Sequence, residues 1–251
     1  MKLERLIATV AVAMAGWSSA AWSDDLLVGA ASSLTNAFRD LGVEFQNAHP
    51  GTTVFTSFAS SDALMQQIVQ GAPVDVFASA DQQAMDRAEK AQVIDPGSRQ
   101  NFTRNELVLV VPADNPLNVQ AMADLARDEV QRVAYGNPAI VPVGRYTKAA
   151  LERSGHWNTA KRKEVLGQNV RQVLDYVARG EVDAGFVFAT DAALMKDRVK
   201  VISRVDTPVP VLYPIALVVR NGRSAKAEAF LAFVMSPQGQ AVLAKYGFQQ
   251  P

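Results

Sequence analysis

The sequence predicts an α/β protein of two lobes, each a mostly parallel sheet flanked by helices, with two strands passing between the lobes as a hinge. Three observations carry this expectation. Short apolar runs of strand length alternate with segments whose apolar residues recur every three or four positions. The alternation falls into two separate series. Two longer apolar stretches, Glu106–Val111 and Tyr213–Val219, stand where a chain passing between lobes would run. Strand and helix in such succession favour parallel sheets covered on both faces.

The elements follow in order. Leu26–Ala31 reads as a buried strand, after which Leu34, Phe38, Leu41 and Phe45 recur at helical spacing. Thr53–Phe58 is the next strand, and the helix behind it turns Leu64 and Ile68 inward. Gly71, Ala72 and Pro73 break that helix. Val74–Ala78 is a third strand, and Asp81 is placed to cap the helix after it. Glu106–Val111 ends at Pro112 and opens the second series. This series contains a strand at Arg132–Tyr135 and a helix at Arg145–Leu151. A further helix carries Val170, Val173, Leu174 and Val177 on one face, with strands at Asp183–Phe188 and Val199–Ile202. After Tyr213–Val219 come two helices, the first capped by Ser224, the second opened by Ser236 and Pro237 and stopped at Gly247. They are expected to return to the first lobe. The lobes are then residues 24–105 with 213–251, and residues 106–212, crossing near 106–112 and 212–219.

Residues 1–23 read as a signal peptide. Lys2 and Arg5 precede an unbroken apolar or small-residue run, Ile7–Gly16, and Ala21 and Ser23 stand at the minus-three and minus-one places before Asp24. The run is too short for a permanent anchor. The sequence has no cysteine, so the leader offers nothing to acylate and the exported chain uses no disulfide. A periplasmic protein is expected. Basic and acidic residues number 25 each, and removing Lys2, Glu4 and Arg5 leaves about one net negative charge. That balance favours neither nucleic acid nor an anionic membrane surface. No later segment has the length and apolarity to cross a bilayer.

The chemistry concentrates in two strand-to-helix turns, Ala30–Asn36 and Ser57–Ala63, each with a serine pair, Ser32 and Ser33 or Ser60 and Ser61. A serine at a helix start offers a hydroxyl and a backbone N–H at the positive end of the helix dipole. Two such ends facing one cleft form an anion site without formal positive charge. Ordinary helix capping is the plain alternative for each pair. An enzyme reading is weak, because a serine nucleophile needs a base within reach. His49 follows Ser33 by a whole helix, roughly 20 Å at 1.5 Å per residue, and His156 lies beyond the far end of the helix that starts near Val143. No phosphate-loop, nucleophile-elbow or metal-ligand pattern occurs.

Longer strings sharpen the reading. AASSLTNAF, SFASSDALMQQI, GAPVDVFASAD, VPVGRYTKAAL and SPQGQAVLAKYGF, taken in order from about residue 26 to 249, resemble the periplasmic molybdate-binding proteins of ABC transporters. The resemblance implies the periplasmic-binding-protein fold and a monomer that captures molybdate or tungstate without a cofactor. It further implies delivery to an inner-membrane permease with its ATPase, and no nucleic-acid partner or membrane insertion. It implies that Ser33 and Ser61 hold the oxyanion through hydroxyl and N–H, with backbone N–H groups of Val143 and Val170. Molybdenum would be met only as the oxyanion, by these same residues. Where the family places a contacting tyrosine, this chain has Phe188, which removes one donor. Tyr146 and Tyr135 could replace that hydroxyl, with packing in the core or at the surface the plainer reading of each. Asp62 and Arg145 stand near the same turns. An inward Asp62 would accept the proton of hydrogen phosphate, so receptors for sulfate or phosphate remain the rival within transport, and a serine hydrolase the rival outside it.

Overall fold

The structure is a computed structural model that describes residues 25–220 and 224–251; the signal peptide expected at 1–23 lies outside the described residues. The first sheet contains β1 (Leu26–Ala31), β2 (Val54–Ala59), β3 (Val76–Ala78), β4 (Gln100–Asn105) and β10 (Val211–Leu217). The second contains β5 (Leu107–Pro112), β6 (Val133–Gly136), β7 (Glu164–Gly167), β8 (Ala184–Phe188) and β9 (Val199–Val205). Their spatial orders are β2-β1-β3-β10-β4 and β7-β6-β8-β5-β9. These are the same arrangement, with β1 matched by β6, β2 by β7, β3 by β8, β10 by β5 and β4 by β9.

In the first sheet β1 pairs parallel with β2 and β3, while β10 runs antiparallel to both β3 and β4. In the second, β6 pairs parallel with β7 and β8, and β5 runs antiparallel to β8 and β9. Each sheet is therefore mostly parallel with one reversed strand. The chain passes between sheets at Glu106, between β4 and β5, and again across 206–210, between β9 and β10. β10 carries a register shift at Tyr213 and Pro214. A bulge is the usual way a strand with neighbours on both sides accommodates a proline, which cannot donate to the ladder.

Two strands are absent from the sequence expectations, β4 and β7. Both lie at sheet edges. An edge strand is hydrogen-bonded on one side only and needs no continuous apolar run, and residues such as Gln100, Asn101 and Glu164 mask the pattern.

Helices cover the sheets. α1 (Thr35–Ala48), α2 (Ser61–Val69) and α3 (Gln82–Lys90) follow β1, β2 and β3. α4 (Pro142–Arg153) follows β6, with the short α5 (Trp157–Arg162) behind it, and α6 (Val170–Ala178) and α7 (Ala189–Leu194) follow β7 and β8. The closing helices, α8 (Ala225–Met235) and α9 (Pro237–Lys245), return to the first lobe. There Phe230 packs edge-on against Phe38 and Phe45. Their serine caps are in place: Ser224 accepts from Ala227 N and Ser236 from Gly239 N. This framework puts the carboxyl ends of three parallel strands from each sheet around one cleft, where ligand sites of open α/β sheets fall.

Candidate functional site

Six strand-to-helix turns meet between the lobes. Ser33 lies in the 3-10 turn Ser32–Leu34 after β1, and Ser61 opens α2 after β2. Val143 is the second residue of α4, behind Pro142, and Val170 the first of α6. Phe188 ends β8. All five line one small pocket together with Ala80, which follows β3. The N–H groups in the first turns of α2, α4 and α6 have no intrahelical partner, so this convergence of helix starts presents donors and positive dipole ends to one space. Tight backbone approach makes the α4 turn possible: a Cβ on Gly144 would run into the Gly136 carbonyl at the end of β6.

Within the second serine pair the duties are divided. Ser60 is the cap of α2, accepting from Ala63 N at 3.3 Å. Ser61, fully buried, instead accepts the Ala80 backbone N–H at 2.9 Å. An N–H can only donate, so the Ser61 hydroxyl retains its own proton for the pocket. In the first pair neither side chain caps a helix. Ser33 Oγ lies 3.0 Å from Tyr213 Oη, both buried. Plain capping thus accounts for Ser60 and not for Ser33 or Ser61.

Both tyrosines considered at the sequence level have packed rings. Tyr135 donates to Glu164 Oε2 at 2.7 Å and packs against Trp157, so its hydroxyl is committed within the second lobe. Tyr146 meets Phe188 edge-on at 6.2 Å between centroids. The tyrosine hydroxyl bonded to a pocket serine comes from Tyr213, whose ring also contacts Phe188 at 5.7 Å. The sequence signal was present. A hydroxyl in a buried apolar strand must find a partner.

Asp62 and Arg145 form a clamp across the cleft. Asp62 is buried at 2% exposure. One of its oxygens takes Arg87 Nη1 at 2.5 Å and the other Arg145 Nη2 at 2.6 Å. Arg145 Nε also meets Asp81 Oδ2 at 2.6 Å, while Asp81 Oδ1 caps α3 through Ala84 N. A solvated helix residue is the ordinary reading of Arg145 and a dipole-facing carboxylate that of Asp62. The structure joins them instead, and neither lines the pocket. A second arginine, which the sequence did not single out, crosses on the other side. Arg171 binds Asp191 Oδ1 at 2.5 Å within its own lobe and reaches Asn36 Oδ1 at 3.0 Å and the Ser33 carbonyl at 3.2 Å in the other. Asp191 is fully buried, and its second carboxylate oxygen has no partner among the described residues. Burial, opposed by Arg171, pushes its pKa up to about 6.

The histidines stand apart from the serines. His49 ends α1 with its ring stacked on Phe45 at 4.0 Å, and His156 precedes α5. The hydroxyl partners of Ser61 and Ser33 are a backbone amide and a phenol. Among the described residues no cluster of His, Cys, Asp or Glu is arranged to hold a metal ion, and no helix is long and apolar enough to cross a membrane.

Two topologically matched α/β lobes, with a donor-lined pocket between the carboxyl ends of their strands, define a two-lobed solute-binding protein. Residues 26–249 match the family described as bacterial extracellular solute-binding protein, and the chain belongs to that family. It is similar to the molybdate-binding protein ModA of Escherichia coli K12, at 36% identity over 252 residues covering 96% of this chain and 95% of that one. Among solved structures, the periplasmic molybdate-binding protein of Azotobacter vinelandii superposes with a TM-score of 0.76 at 26% identity, covering 90% of this chain and 99% of that one. The sulfate-binding protein SubI of Mycobacterium tuberculosis H37Rv superposes with a TM-score of 0.79 at 18% identity over 90% and 86% of the two chains, a likeness of fold alone.

Proposed function

We propose that this protein captures molybdate, and tungstate with it, in the periplasm and delivers it to an ABC permease and its ATPase. The observation that carries the reading is the convergence of Ser33, Ser61, Val143, Val170 and Phe188 on one pocket, with the Ser61 oxygen already taken by a fixed backbone donor. A buried dianion is costly unless each oxygen is hydrogen-bonded. Charge-assisted bonds contribute roughly 1.5–3 kcal/mol each, so a handful of serine hydroxyls and first-turn amides suffices for tight binding without a cofactor. Asp62 bears on the choice of anion. Both its oxygens are held by arginines, which leaves it unsuited to accept the proton of hydrogen phosphate. The similarity to proteins named as molybdate-binding supports the same choice.

Donors divided between lobes give the anion a preference for the closed arrangement, the condition for a ligand-driven shift of population. We take residues 24–105 with 213–251 as one moving body and 106–212 as the other. Native mass spectrometry of the mature chain against molybdate, tungstate, sulfate and phosphate tests the assignment. Molybdate and tungstate are expected to bind at similar strength and the other two far more weakly. Equal competition by phosphate would overturn it.

A further inference from the structure

Two buried hydroxyls 3.0 Å apart, Ser33 Oγ and Tyr213 Oη, leave open which one donates. The groups around them decide it. The Glu106 backbone N–H donates to Asn105 Oδ1 at 2.9 Å, which fixes the orientation of that side-chain amide, since oxygen must face the N–H. The Asn105 nitrogen therefore faces Thr190 Oγ1 at 2.8 Å and Tyr213 Oη at 3.2 Å, and it can only donate. Tyr213 Oη thus accepts from Asn105. If Ser33 also donated to it, the phenolic proton would have no acceptor among the described residues, a buried unsatisfied donor. The arrangement that satisfies every group sends the Tyr213 proton to Ser33 Oγ and leaves the Ser33 proton for the pocket. Burial, reinforced by the nearby Asp191 carboxylate, holds the Tyr213 hydroxyl well above its ordinary pKa, so that proton stays in place at any working pH. Ser61 reaches the same condition by a shorter route, through Ala80 N.

We propose that Tyr213, oriented by Asn105, is a specificity-determining residue of this site. It makes the Ser33 hydroxyl a committed donor, so the pocket accepts fully ionised tetrahedral oxyanions and rejects those that still carry a proton. The proposal rests on the oxyanion reading above and deepens it. Without Tyr213 the Ser33 oxygen is free to accept, and an anion O–H finds a partner there.

The test is a double-mutant cycle on the full mature chain, with calorimetry against molybdate and against inorganic phosphate at neutral pH. Tyr213→Phe, folded by its melting curve, is expected to lower molybdate affinity about tenfold and to reduce the molybdate-to-phosphate preference by more than that. In a Ser33→Ala background the same change is expected to matter less than about twofold, because Tyr213 acts through Ser33. Equal effects in both backgrounds would show a packing role and overturn the proposal, as would an unchanged anion preference in Tyr213→Phe. Wild-type protein that binds neither anion would sink the oxyanion reading itself. If Tyr213→Phe does not fold, a singly fluorinated tyrosine at 213 keeps the shape while strengthening the donor. Molybdate affinity should then rise about twofold, and an unchanged affinity overturns the relay.

Discussion

The turns after β1 and β2 occupy the same places in their sheet as those after β6 and β7 in the other, yet they bring different chemistry to the pocket. The first lobe presents serine side chains, each with its oxygen engaged by a neighbouring group. The second presents Val143 and Val170, whose side chains are buried and apolar, so its donors are backbone amides at helix starts. Side-chain donors can be removed by trimming an atom. Backbone donors survive any substitution except one that deletes the N–H.

The largest expected effects follow from this contrast. Ser33→Ala and Ser61→Ala should each weaken molybdate binding by roughly 1.5–3 kcal/mol with the fold intact, measured by calorimetry, since each hydroxyl meets a charged acceptor. Intact affinity in both variants would erase the difference between the lobes. On the other side, Val170→Ala should change binding by less than about 0.5 kcal/mol. Val170→Pro should cost about 1.5 kcal/mol. Proline is well tolerated at a first helical position, and the preceding Asn169 is already extended, with φ −162° and ψ 171°, as a residue before proline prefers. If the proline variant binds as well as the alanine variant, the amide of Val170 is not a donor to the anion.

A smaller gain is expected from Phe188→Tyr. The ring already lies on the pocket wall, and a new hydroxyl should tighten binding by about 1 kcal/mol; calorimetry on the variant is again the check. A loss for every oxyanion would mean that the Phe188, Tyr146 and Tyr213 rings leave no room for it.

A separate effect, on stability and not on binding, is one of acidity. Asp191, just beyond Phe188, ionises near 6 in the folded chain and near 4 when unfolded. Between those values the folded state holds the proton that the unfolded state has lost. Its contribution to stability is therefore full below about 4 and disappears as pH rises through about 6. Melting temperatures of Asp191→Asn against wild type, scanned from pH 4 to 7, should show the variant losing that slope. Parallel curves would mean that Arg171 holds the carboxylate ionised throughout.

Much of this was legible in the sequence because it was written in apolar periodicity and serine pairs. β1, β3, β5 and β8 are buried runs that announce themselves, and the two serine pairs stood out at strand-to-helix turns, Ser33 and Ser61 within them being marked by the resemblance. What escaped notice was relational. Tyr213 lies 180 positions from Ser33, and only the sheet order that puts β10 beside β3 brings the hydroxyls together. Arg145 and Asp62 are 83 positions apart, in different lobes, and each alone looks like a solvated charge. Residue type and spacing alone could not tell Ser60 from Ser61 as cap and donor; the resemblance singled out Ser61, and the Ala80 amide against its hydroxyl gives the physical reason.

The lining of the pocket contains no group that titrates; it is serine, alanine, valine, proline and phenylalanine. On the oxyanion reading, a dianion there is held by fixed dipoles and not by lining groups that gain or lose a proton. Release then calls for separating the two sets of donors so that water replaces one of them, a mechanical act for whatever grips the lobes from outside.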